Sequence, residues 1–211
     1  MLKIILTAIF LTAFTFSNFA EAADKIKVAV MDLGEFGGAY TSELATKNIG
    51  AVVSEYITKT LSSDARFSVI DKEFFEQQVK NKNLQAVGII SPKQAGEIAK
   101  ILGVDYLIYG NVNNVTGDSG IFEVVRYGGG KGYEVKAKLI IRMMDIKNSG
   151  RRIVAVEEGI GVSKSSEIKI SQDTIFFKIG ATKIPQDSVH NAARKAAADA
   201  VTKLIESFFE K

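Results

Sequence analysis

The chain has 211 residues, 46% hydrophobic and 24% charged, which is the balance of a protein that folds around a core and not of one that stays disordered. Its 27 Lys and Arg against 24 Asp and Glu leave a net charge of +3, too small and too dispersed for the clustered basic face of a nucleic-acid binder. With no Cys and one His, thiol chemistry, disulfides, cysteine-ligated metal centres and His-rich metal sites are all excluded, and neither a metal nor a cofactor is expected.

Lys3 is followed by an almost purely apolar run from Ile4 to Phe16 and then by Ala20-Glu21-Ala22. This is the pattern of a secretory signal peptide, with an apolar segment too short to cross a bilayer and a small-residue cleavage site. Residues 1–22 are therefore expected to be removed, leaving one domain over 23–211 in an exported protein.

Ile26 to Leu33 is apolar at nearly every position, as in a strand covered on both faces. Gly34-Glu35-Phe36-Gly37-Gly38 breaks it and is expected to be a long loop. From about Thr41 the period changes: Ile49, Val52, Val53, Tyr56, Ile57 and Leu61 recur at three and four residues and predict an amphipathic helix. Phe67 to Ile70 is a second short strand and Lys72 to Lys80 a second helix. Ser91-Pro92-Lys93-Gln94 is a capping box with proline at the first helical position, opening a helix that stops at Gly103.

Val104 to Val112 predicts a third strand. A glycine-rich stretch follows, from Gly117 to Gly132, in which Gly128-Gly129-Gly130-Lys131-Gly132 is expected to be a flexible hairpin turn. It is no phosphate loop, because the required glycine spacing and the Ser or Thr after the lysine are missing. Tyr133 to Ile146 alternates strictly, with Val135, Ala137, Leu139 and Ile141 against Glu134, Lys136 and Lys138, so one face is wet and the other buried. Lys147 to Arg151 is a turn sequence, and Ile153 to Val162 is its antiparallel partner. A second hairpin is expected from Glu167 to Lys183, where Ile168 and Ile170 alternate before the turn and Ile175, Phe177 and Ile179 after it. A last helix, capped by Asp187 or Ser188, carries an apolar stripe from Val189 to Phe208. The fold class is α/β: an α/β sandwich with a mixed sheet and one or two extended β-hairpins.

Little in the sequence points to a reaction. Asp32, Glu35 and Asp71 are placed at strand ends on one edge of the sheet, where α/β enzymes often keep acids. They come without a nucleophile, a histidine or metal-ligand spacing, so a hydrolase built on Asp32 and Asp71 is the weakest of the readings, and the chain is expected not to be an enzyme. His190, in the first turn of the last helix, is expected to be solvated. Glu157-Glu158 and Arg151-Arg152 are expected to be strand ends or cross-strand partners.

Four segments together resemble the CsgG family of curli assembly proteins in the bacterial envelope. They are Ile26-Lys27-Val28-Ala29-Val30, Arg66-Phe67-Ser68-Val69-Ile70-Asp71-Lys72, the run Ala99 to Val112 containing Leu102-Gly103-Val104-Asp105-Tyr106-Leu107, and Met144-Asp145-Ile146-Lys147-Asn148-Ser149-Gly150. The resemblance implies a ring of protomers on the periplasmic side, each giving two hairpins to an outer-membrane barrel, with the loop after the first strand narrowing the pore. On this chain the hairpins would be 113–138 and 153–183. The constriction or interaction loop would hold Gly34, Glu35, Phe36, Gly37, Gly38 and Tyr40, and the second hairpin would present Ile168, Ile170, Ile175, Phe177 and Ile179. The family's lipidated Cys has no counterpart here, and its Tyr-x-x-x-Asn-Phe loop pattern is not reproduced. The resemblance therefore implies a non-enzymatic, exported protein of the periplasmic space, possible outer-membrane association, and contacts with other envelope proteins, secreted subunits or further copies of itself. The alternative is a regulator resembling the lipoprotein activators of penicillin-binding proteins, or a flagellar outer-membrane accessory protein.

Overall fold

The computed structural model describes residues 24–35, 48–81, 91–124, 128–147, 152–169 and 184–210. The expected signal peptide lies outside the described residues. In chain order the elements are β1 (Ile26–Val30), β2 (Gly34–Glu35), α1 (Ile49–Ser62), β3 (Phe67–Val69), α2 (Lys72–Asn81), α3 (Pro92–Leu102), β4 (Tyr106–Val124), β5 (Gly128–Asp145), β6 (Arg152–Lys169) and α4 (Gln186–Phe209).

The strands form one sheet in the order β3-β1-β4-β5-β6, with β2 beside β4. β1 runs parallel to β3 and to β4, and β2 is parallel to β4, whereas β4, β5 and β6 are successively antiparallel. This is the mixed sheet that the sequence predicts. Parallel pairs need a crossover, which the helical segments supply, while the long strands follow one another through short connections.

Helices cover both faces. On the inner face, Val53, Ile57 and Leu61 of α1 and Val189, Ala196, Val201 and Leu204 of α4 pack on Val28, Ile108, Leu139, Ile141 and Met143. On the outer face, Phe75 and Val79 of α2 and Ala95, Ile98 and Leu102 of α3 pack on Ala29, Met31, Leu107, Tyr109 and Met144. The alternation of β5 explains its place: Val135, Ala137, Leu139, Ile141 and Met143 are buried inward, and Glu134 and Lys136 stay exposed. At about 1.5–3 kcal/mol for each large side chain removed from water, these two clusters are the main stabilising contribution.

Several boundaries differ from the sequence reading. The glycine-rich stretch is not a flexible turn: β4 continues to Val124 and β5 begins at Gly128, with pairing unbroken from Tyr106↔Asp145 to Val124↔Gly128 apart from a bulge between Val112 and Asn114. Glycine is a poor strand former in isolation, but its N–H and C=O are as good as any other, and β5 has a ladder on each side to fill. β6 likewise runs on to Lys169 rather than stopping at Val162. Gly34 and Glu35, expected in a loop, form β2 against Asn111 and Val112. β1 ends at Val30, three residues early, although Met31 N–H still bonds Ile108 C=O at 2.9 Å. Helix α4 starts at Gln186 behind Pro185 with no side-chain cap, so neither Asp187 nor Ser188 caps it; Ser188 N–H instead bonds Pro185 C=O at 3.0 Å. Helix α3 follows the sequence signals closely, with the Ser91–Gln94 capping box formed and Gly103 in the left-handed conformation at φ 64°.

α4 lies unusually close to β6. A Cβ on Gly159 or Gly161 would overlap the backbone carbonyl oxygens of Ala196 and Ala192, respectively. Only glycine permits this approach, and the facing row of Ala192, Ala193, Ala196, Ala197 and Ala200 on α4 is correspondingly small and fully buried.

Candidate functional site: an exposed sheet face

The three acids singled out in the sequence each hold a helix to a strand end. Asp32, just past β1, accepts the Ser54 hydroxyl from α1 and, at 2.8 Å, the Lys72 ammonium from α2. Glu35 Oε1 accepts Gly50 N–H in the first turn of α1 at 2.8 Å. Asp71 Oδ1 accepts Phe74 N–H at 3.0 Å, capping α2. The acids lie on three different contacts and form no shared cluster. Among the described residues no three His, Asp or Glu side chains are placed to hold a metal ion. His190, half-buried, is 3.4 Å from the Gln186 side chain.

Of the expected loop, Gly34 and Glu35 are in β2, while Phe36, Gly37, Gly38 and Tyr40 lie outside the described residues. Of the expected hairpin surface, Ile168 is in β6, paired with Gly130. Ile170, Ile175, Phe177 and Ile179 lie outside the described residues.

What the sequence reading missed is the orientation of β6. Its apolar residues Val156, Ile160 and Val162 share one parity, which a period-two reading assigns to the core. The structure does the opposite. Ala155, Gly159, Gly161 and Ser163 face α4 and are buried, whereas Val156 is 53% exposed and Ile160 42% exposed on the outer face. A β-bulge between Met143 and Met144 sets this phase and leaves Ile153, opposite Met144, 41% exposed as well. The reason is steric: the close seat of α4 admits only small residues, so the larger ones turn outward. The glycines at 159 and 161 were the available signal.

Among the described residues, the outer helices α2 and α3 cover the β1 and β4 side of the sheet and leave this part open. In the open area Arg142, in register with Tyr109 on one side and Val156 on the other, donates to Asn111 Oδ1 at 3.2 Å. Burial first, moderated by the nearby Arg142 guanidinium, pushes the Tyr109 hydroxyl above its ordinary titration range, so it stays protonated. Farther along the strands, Lys138 pairs with Glu158 at 2.8 Å and Lys164 with Glu134 at 2.9 Å. These are the cross-strand partners expected for Glu158. An apolar strip around a half-buried arginine, bordered by self-paired charges, has the makeup of a protein-docking surface, in which buried apolar anchors and arginine dominate and the rim is polar.

This fold, a mixed sheet between two helix layers with long antiparallel strands, defines an α/β sandwich with exposed apolar side chains on the outer face of β6. The chain belongs to the family described as the curli production assembly/transport component CsgG, whose profile matches residues 10–211. No curated protein matches it. Among solved structures it is similar to lipoprotein GNA1162 from Neisseria meningitidis, with 12% identity over 66% of this chain and 84% of that one and a TM-score of 0.47. It is also similar to the LpoB C-terminal domain from Salmonella enterica, at 13% identity over 64% and 81% with a TM-score of 0.43. The PelC dodecamer from Paraburkholderia phytofirmans is matched at 14% identity over 87% and 86%, with a TM-score of 0.39.

Proposed function

We propose that this protein is a non-enzymatic, exported member of the CsgG family that works by protein–protein contact in curli-type secretion or assembly at the outer membrane, as a ring of identical copies. The observation that carries the reading is the outward parity of β6. Ile153, Val156 and Ile160 are large apolar side chains placed on the surface by the chain's own packing, and Arg142 stands among them. Such a strip is costly to leave in water at about 25 cal/mol for each Å² of apolar surface, and a neighbouring copy or a secreted subunit would cover it. The three acids singled out in the sequence are each engaged by a helix, which supports a binding role over a catalytic one. No helix among the described residues is long and apolar enough to cross a membrane, which says nothing about strands.

The test is the mass of the purified protein by light scattering, in buffer and in detergent, for the wild type and for Val156→Glu/Ile160→Glu. An oligomer in the wild type that dissociates in the folded double variant supports the reading. A wild type that stays monomeric in both media sinks the ring.

A further inference from the structure

Three side chains of α4, at successive turns of one helical face, reach around the margin of the sheet and bind the outward backbone groups of β6. Lys195 Nζ donates to Val162 C=O at 2.9 Å, Asp199 Oδ2 accepts Ile160 N–H at 3.0 Å, and Lys203 Nζ donates to Glu158 C=O at 3.0 Å. The charges match the strand group by group, cation to carbonyl, anion to amide, cation to carbonyl. Lys203 and Asp199 are also paired with each other at 2.7 Å. The Lys203 ammonium and the Ile160 amide together hold the Asp199 carboxyl below its usual range.

We propose that α4 is an edge guard: the row Lys195, Asp199 and Lys203 occupies the 158–162 margin of β6 and closes that stretch to strand addition. An unpaired strand edge is a template for another strand, and covering it is a recurrent means of preventing sheet extension. The guard depends on the glycines already described. Because Gly159 and Gly161 let α4 sit against the strand, its polar side chains are short enough in reach to arrive at the edge; a helix one methyl group farther away would lift all three contacts together. This inference is independent of the ring, since it concerns which surface is shut rather than which partner binds.

The test compares wild type with Lys195→Ala/Asp199→Ala/Lys203→Ala, following thioflavin T fluorescence and scattering against protein concentration, and hydrogen exchange at the Ile160 amide. The guard predicts concentration-dependent, thioflavin-positive association in the folded triple variant and Ile160 exchange faster by about tenfold, the loss of one hydrogen bond to a charged acceptor. Adding Val162→Pro should suppress that association. In an antiparallel strand a residue's N–H and C=O point the same way, so this substitution removes a donor from the open edge without touching the β5 ladder. Should the triple variant fail to fold, Asp199→Ala alone reads the same two quantities. Folded variants with wild-type association and unchanged Ile160 exchange overturn the proposal, as does association that Val162→Pro leaves intact.

Discussion

Lys72 Nζ stands 2.8 Å from Asp32 Oδ1 across 40 residues of sequence. The same carboxylate takes the hydroxyl of Ser54, which is 1% exposed, so one acid fastens α1 and α2 to the end of β1. An aspartate at a strand end, which with Asp71 made up the hydrolase that is the weakest of the sequence readings, is thereby given a structural task.

Asp32→Ala should lower stability by about 1–3 kcal/mol, the cost of depriving buried and charged donors of their acceptor, with the loss moderated because Ser54 can still donate to Ala51 C=O at 2.9 Å. Asp32→Asn, which keeps an acceptor oxygen, should lose less. Urea denaturation of the three proteins measures this, and a stability equal to wild type in the alanine variant would refute the clasp.

Gly50→Ala offers a contest between two effects of opposite sign. Alanine favours helix over glycine by about 1 kcal/mol. A Cβ at this position would, however, overlap the Leu33 carbonyl oxygen, a backbone atom that cannot swing aside. Overpacking of this kind costs typically about 1–3 kcal/mol, and the clash should win, lowering the melting temperature. A rise in melting temperature would show that α1 shifts freely.

Leu204→Ala on α4 should be among the most damaging single changes, at about 2–5 kcal/mol, because the side chain is fully buried in the inner core and leaves a cavity. Ser91→Ala, which removes only the cap of α3, should cost about 1 kcal/mol. The ranking of the two by chemical denaturation checks whether the inner core dominates.

The Arg66 guanidinium and, after it, the Arg66 backbone N–H hold the Asp64 carboxyl down to about 2 from an ordinary 3.8. A depressed carboxylate contributes stability that is complete above the ordinary value and lost as pH falls through the folded one. Arg66 is exposed and Asp64 partly so, and solvent screens the pair, so the contribution is small. Melting temperatures of wild type and Asp64→Asn should therefore differ above pH 3.8 and converge as the pH approaches about 2. A gap that widens toward acid would contradict the assigned sign.

What was legible in the sequence was what depends on neighbours along the chain. The three- and four-residue spacing of Val53, Ile57 and Leu61 sets α1, the Ser91–Gln94 box sets the start of α3, Gly103 sets its end, and the alternation of β5 sets which side is buried. The CsgG resemblance carried by Ala99 to Val112 rests on the same local residues. Tertiary structure decided the rest, because it depends on groups brought together from far apart. Gly128 to Gly132 became strand since β5 lies between two ladders whose backbone groups need partners. Asp32 became a clasp since Ser54 and Lys72 arrive from two helices. The apolar side of β6 turned outward since α4 approaches to a distance only Gly159 and Gly161 allow, and that inversion, invisible to a period-two reading, creates both the open face and the guarded edge.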